Sequence, residues 1–242
     1  MSDQMTPPPF PSLTTDSPLA ASCQLLLVVA DEWASTTARL RRFERALTGA
    51  EWMPVGDAID VSLGQSGLAW GIGLHRKVVT NGPTKHEGDR RAPAGAFAIT
   101  ALFGDADGEL ARSTKLPYLA ATPGLKAIDD PASRHYNQIV EQSALAEIDW
   151  VSHEDMLRGD ERYAIGAVVA HNSPQPIAGA GSCIFIHVWQ NENVPTAGCT
   201  AGALADISEL CAWLDGAWSP VLVQLPRTEY SRSQAAWALP AA

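Results

Sequence analysis

The sequence predicts a mainly β domain of the α+β kind, and three observations carry that expectation. Short apolar runs punctuated by Gly and Pro follow one another from Trp52 to Phe103, the pattern of a sandwich or barrel. Gly95–Phe103 alternates, with Phe97, Ile99 and Ala101 falling on one side. Helical spacing is confined to Ala34–Leu47 and Leu204–Leu214. The chain has 242 residues, which fits one domain with a sizeable core.

Each element follows in order. Residues 1–22 are rich in Pro, Ser and Thr and are expected to form a flexible tail. Gln24–Ala30 is a short, mostly apolar run and predicts a buried strand. Ala34–Leu47 predicts a helix, because Leu40, Phe43 and Leu47 recur at three and four while Arg39, Arg41, Arg42 and Arg45 fill other positions. Ile59–Leu63, Gly67–Leu74, Val78–Thr80 and Gly95–Phe103 are strand candidates, and Gly104–Gly108 is a turn. Residues 113–164 are less regular; they hold Tyr118, the pair Asp129 and Asp130, and the run Ser133-Arg134-His135-Tyr136-Asn137. Ala164–Ala170 and Cys183–Val188 predict strands. Leu204–Leu214 predicts a helix through Leu204, Ile207, Cys211 and Leu214, stopped by Asp215-Gly216. Pro220–Leu225 is a last strand, and residues 226–242 are expected to be a loose tail, leaving 23–225 as the domain.

Composition excludes several function classes. The net charge of -10 disfavours nucleic acid, whose phosphates call for a basic surface, and a polybasic membrane anchor. No apolar run approaches the roughly 20 residues that span a bilayer. The first residues lack the basic and apolar regions of a secretory signal. The four cysteines, Cys23, Cys183, Cys199 and Cys211, form no C-x-x-C pair and no disulfide framework.

Chemistry concentrates between Cys183 and Trp213. Strand alternation puts Cys183, Phe185 and His187 on one face. A polar loop, Trp189–Thr196, then returns the chain to Gly198-Cys199, just upstream of a helix. An imidazole and a thiol so placed can meet, and a thiolate is the competent nucleophile for acyl transfer. Gly198 lets backbone approach a substrate closely, and neighbouring N–H groups could hold an oxyanion. The competing reading makes Cys199 a small buried hydrophobe and His187 a core histidine. Cys183 and Cys211 sit in apolar patterns and take that second reading. Cys183, His187 and Cys199 match no zinc spacing, and G-x-S-x-G, P-loop and G-x-G-x-x-G motifs are absent.

Ile184-Phe185-Ile186-His187 followed by Pro195-Thr196-Ala197-Gly198-Cys199 resembles the signature of the L,D-transpeptidase catalytic domain, the YkuD family. Lys85–Phe97, ending Pro93-Ala94-Gly95-Ala96-Phe97, is similar to that family's Pro-x-Gly-x-Phe segment. Asp129-Asp130-Pro131 through Tyr136-Asn137 is similar to one branch of it. The resemblance covers roughly residues 60–225. It implies a β-sandwich of mixed strands with a few peripheral helices, Cys199 as nucleophile, His187 as general base oriented by a backbone carbonyl, and Thr196 and Gly198 as motif support. It requires no cofactor and no metal. Ala197 and Ala201 depart from it, standing where better-known members carry His and Arg or Asn.

The implied activity is a peptidoglycan L,D-transpeptidase that forms 3→3 cross-links between stem peptides. An L,D-carboxypeptidase and a non-catalytic cell-wall-binding module are the alternatives. Arg90 and Arg91 are candidates to bind substrate carboxylates. Arg134 and Tyr136 are further candidate contacts, and Trp189 a candidate wall. The resemblance implies the cell envelope; the absence of a signal sequence keeps a cytoplasmic location open.

Overall fold

The computed structural model describes residues 17–75, 82–106, 108–192 and 194–242. The strand candidate Val78–Thr80 and residues 1–16 of the expected N-terminal tail lie outside them.

The chain opens with β1 (Gln24–Ala30), β2 (Thr37–Glu44), β3 (Met53–Ser62), β4 (Leu68–Trp70) and β5 (Ala92–Asp105). A short α1 (Glu109–Ser113), β6 (Tyr118–Ala121), β7 (Leu125–Ala127), β8 (Ile139–Glu141) and β9 (Glu154–Asp155) follow. Then come β10 (Ile165–Val169), β11 (Phe185–Val188), β12 (Thr200–Gly202), α2 (Leu204–Trp213), β13 (Val221–Pro226) and α3 (Arg227–Trp237).

The expected sandwich is replaced by a closed barrel. The strands run β10-β11-β12-β3-β2-β1-β13-β5, and β5 pairs back onto β10, so the sheet has no free edge along this circuit. The sheet is mixed: β1–β13 and β11–β12 are parallel, β1–β2, β2–β3 and β5–β13 antiparallel. β4 and β6 add to β5, whose length lets it serve several neighbours. Closure follows from β5 reaching both β13 and β10 with different parts of one long strand. A separate small sheet, β8-β7-β9, lies outside the circuit.

Ala34–Leu47 is not a helix: its central part is β2. Leu40 and Phe43 are both buried although they fall on opposite faces of a strand, because both faces of β2 are covered. On one side, Arg42 reaches across to Glu209 of α2; on the other, Arg41 lies over the Phe43 ring. Two-sided burial therefore yields a three-residue apolar spacing that imitates a helix.

The tails are also shorter than expected. Leu19 is fully buried, and Arg45 binds the carbonyls of Leu19 and Ser22. At the other end residues 227–237 form α3, Leu239 enters the main core, and the Ala238 carbonyl accepts from Trp52 Nε1. The segments expected to be loose thus help to close the core.

That core has two parts. The larger gathers β1, β5, β13 and α2, together with Ile184, Ile186 and Val188. The smaller gathers Phe103, Leu125, Ala127, Met156, Tyr163, Cys183, Phe185 and Cys199. β11 is therefore split by alternation, and its outward face is covered by the small sheet and the turn Glu161–Tyr163.

Candidate active site

β11 and β12 run parallel, with Ile186 opposite Thr200 and His187 opposite Ala201. Cys199, two residues before Ala201, shares the outward face and lies diagonally from His187. Such diagonal neighbours are about 7–8 Å apart between α-carbons, and the Cys199 sulfur is bonded to backbone groups of Phe185 and Cys183 rather than to the imidazole. The two groups that the sequence singled out are thus brought to one face by backbone register. β12 stands between Cys199 and α2, so the nucleophile candidate does not open the helix directly.

His187 is buried, and its Nδ1 lies 2.7 Å from the Val188 carbonyl. A carbonyl only accepts, so Nδ1 carries the hydrogen and Nε2 is the unprotonated nitrogen, with the Arg162 backbone also against the ring. The Tyr163 ring meets the imidazole edge-on at 5.2 Å, and the Tyr163 hydroxyl donates to Glu154. Burial pulls the His187 pKa down to about 4. Burial, and then the Glu154 charge, push the Cys199 thiol up to about 12, against the Phe185 N–H that points at the sulfur. The resting pair is accordingly a neutral thiol and a neutral imidazole.

Cys199 Sγ accepts from Phe185 N at 3.3 Å and donates to the Cys183 carbonyl at 3.6 Å. The loop before it is closed by Thr196, whose Oγ1 donates to the Cys199 carbonyl at 2.6 Å and accepts from Gly198 N at 3.1 Å. Gly198 supports this loop, and its N–H is not available to an oxyanion while Thr196 holds it. Its φ of 150° lies where side chains are rarely tolerated, and a Cβ there would stand 3.1 Å from the Arg91 carbonyl. A Cβ on Gly64, which bridges to Thr196, would meet the Arg90 carbonyl at 2.5 Å. The Arg90–Arg91 backbone therefore runs between Gly64 and Gly198. This contact joins the two sequence blocks on which the resemblance rests.

No family model, curated protein or solved structure matches the chain. Its function has to be read from the site.

The remaining candidates separate. Arg90 is exposed beside the Cys199 loop and donates to Gln65 Oε1 at 3.0 Å. Arg91 is half-buried, with Nη1 on the Leu68 carbonyl at 3.0 Å. Trp189 is half-buried, and its N–H extends the strand pairing to the Gly202 carbonyl. Arg134 pairs with Glu147 and Asp149 on the surface. Tyr136 is 3% exposed, with its hydroxyl donated to Glu87 and accepting from Gly181 N, so its polar atom is held by protein partners. The acidic pair is likewise internal stitching. Asp130 accepts from the N–H groups of Ala132 and Val151, and Asp129 from the Ser152 hydroxyl.

Sequence reasoning missed Glu154 and Tyr163, which flank His187 and Cys199. They come from a two-residue strand and a three-residue turn, too short for a periodicity to place them. Among the described residues no three His, Cys, Asp or Glu side chains converge to hold a metal, and no helix is long and apolar enough to cross a membrane.

Proposed function

We propose that this protein is a cysteine acyl-transfer enzyme acting on peptidoglycan stem peptides, an L,D-transpeptidase. The observation that carries the reading is the placement of Cys199 and His187 on one face of adjacent parallel strands, with Nδ1 of His187 tied to a backbone carbonyl. That leaves Nε2 as the base and needs no acid to orient the ring. The stem-peptide substrate comes from the motif resemblance.

In the reaction, His187 Nε2 takes the Cys199 proton and the sulfur attacks the carbonyl of the penultimate residue of a tetrapeptide stem. The tetrahedral intermediate collapses, and the terminal D-Ala leaves as an amine protonated by His187. An amine of a second stem then attacks the thioester, gives its proton to His187, and releases the cross-linked product with Cys199 restored. Burial disfavours both the thiolate and the imidazolium in the resting site, so in this reading the proton passes from Cys199 to His187 only as the sulfur attacks.

The same buried neutral thiol is also what a non-catalytic wall-binding module on this fold would carry. Incubation with disaccharide-tetrapeptide, with products read by mass, separates the cases. A cross-linked dimer supports transfer, and tripeptide alone means that water takes the acyl group. Equal turnover by Cys199→Ala, or none by wild type while Cys199→Ala still binds sacculi, refutes the enzyme reading.

A further inference from the structure

We propose that Tyr136 and Asn137 are positioning residues that aim the Cys183 carbonyl at the Cys199 thiol and so restrain the resting nucleophile. The inference rests on the reading of Cys199 as nucleophile and extends it to the control of its proton.

The two side chains hold one short piece of backbone. Asn137 Oδ1 accepts from Cys183 N at 2.9 Å, and its Nδ2 donates to the carbonyls of His171 and Asn172, each at 2.8 Å. Both ends of the amide are thus occupied. The Tyr136 hydroxyl accepts from Gly181 N at 3.2 Å and donates to Glu87, which also accepts from Ser182 Oγ at 2.7 Å. Held this way, the chain takes φ 97° at Gly181 and φ 53° at Cys183. The second value is sparsely populated for a residue with a side chain and persists where its surroundings over-determine it.

The outcome of that conformation is specific. The Cys183 carbonyl receives the Cys199 S–H, while Phe185 N, two residues on, donates to the same sulfur. The first contact favours the thiol and the second the thiolate, so the placement of the Cys183 peptide bears on a balance that burial and Glu154 dominate. Other charges face the sulfur too: Glu154 of β9 opposes the thiolate and Lys85 favours it. Tyr163, in the turn before β10, and His187 of β11 complete the surroundings. None of these is bonded to Asn137, so its removal reaches the sulfur through the backbone it holds, Cys183 directly and His171–Asn172 beside it.

The experiment measures iodoacetamide alkylation at Cys199 against pH, read by peptide mass, beside turnover of disaccharide-tetrapeptide. Asn137→Ala is expected to move the alkylation profile to lower pH by about one unit, making modification near neutrality about tenfold faster. Its kcat is expected to fall about tenfold with KM little changed. Tyr136→Phe keeps the ring and removes the Gly181 contact, so it should move both readouts in the same directions by less; it also decides the matter if Asn137→Ala does not fold. Leu239→Ala, in the C-terminal part of the core, should lower stability and leave the profile in place. An unmoved profile in the Tyr136 and Asn137 variants overturns the proposal, as does an equal shift in Leu239→Ala. If wild type does not turn over the stem peptide, the proposed function fails, and the alkylation profiles still decide this inference.

Discussion

At the residue scale the loop before Cys199 depends on two small features. Gly198→Ala places a Cβ against the Arg91 carbonyl at a strained φ and is expected to cost about 1–3 kcal/mol, measured by chemical denaturation. Thr196→Val removes both bonds that close the turn and should cost about 1–2 kcal/mol, with a further loss of turnover. The sequence identified both residues through their motif, but not what Thr196 does. A hydroxyl that bonds its own loop leaves the same letter in the chain as one that binds substrate. Tyr136 shows the cost of that ambiguity: its phenol points into a buried network that adjacent residues could not announce.

At the element scale, apolar runs without polar interruption were legible and interrupted ones were not. Gln24–Ala30 was placed to the residue, because a buried strand covered on both faces has no polar interruption. β2 was mistaken for a helix for a related reason, since its two covered faces are interrupted by arginines. α3 was missed because its buried residues, Glu229 and Tyr230, form no apolar stripe. The placement of His187 on a strand and of Cys199 just before one was legible, whereas Glu154 and Tyr163 sit in elements of two and three residues, too short to show a period. Because the C-terminal element closes the core, Leu239→Ala should destabilise the protein by about 2–4 kcal/mol, seen as a lowered urea midpoint with an unchanged slope.

At the scale of the whole molecule, stability is tied to neutral histidines inside the fold. His171 accepts from Ile72 N through Nδ1 and holds the Ala180 carbonyl through Nε2, so its neutral form is built in. Burial pulls the pKa of His171 and of His187 from 6.5 to about 4. The unfolded chain therefore binds more protons than the folded one across that interval. The stabilisation is complete above about pH 6.5 and is lost as pH falls toward about 4, on the order of 2–3 kcal/mol for each group. Thermal melts in a pH series should show the decline, and a flat melting temperature over that range contradicts it. Activity should differ in shape. With the thiol and imidazole both neutral at rest, kcat/KM should have no acid limb between about pH 5 and 8.

The parallel pairing of β11 with β12 has an evolutionary consequence. The spacing of thiol and imidazole is fixed by the ladder between Ile186 and Thr200, not by the chain that joins them. The segment from Gln190 to Val194 can then lengthen or change composition without moving the reacting atoms. On the proposed function, the choice of acyl acceptor can be reshaped there while the Cys199–His187 pair stays in place, as a tool keeps its grip while its blade is exchanged.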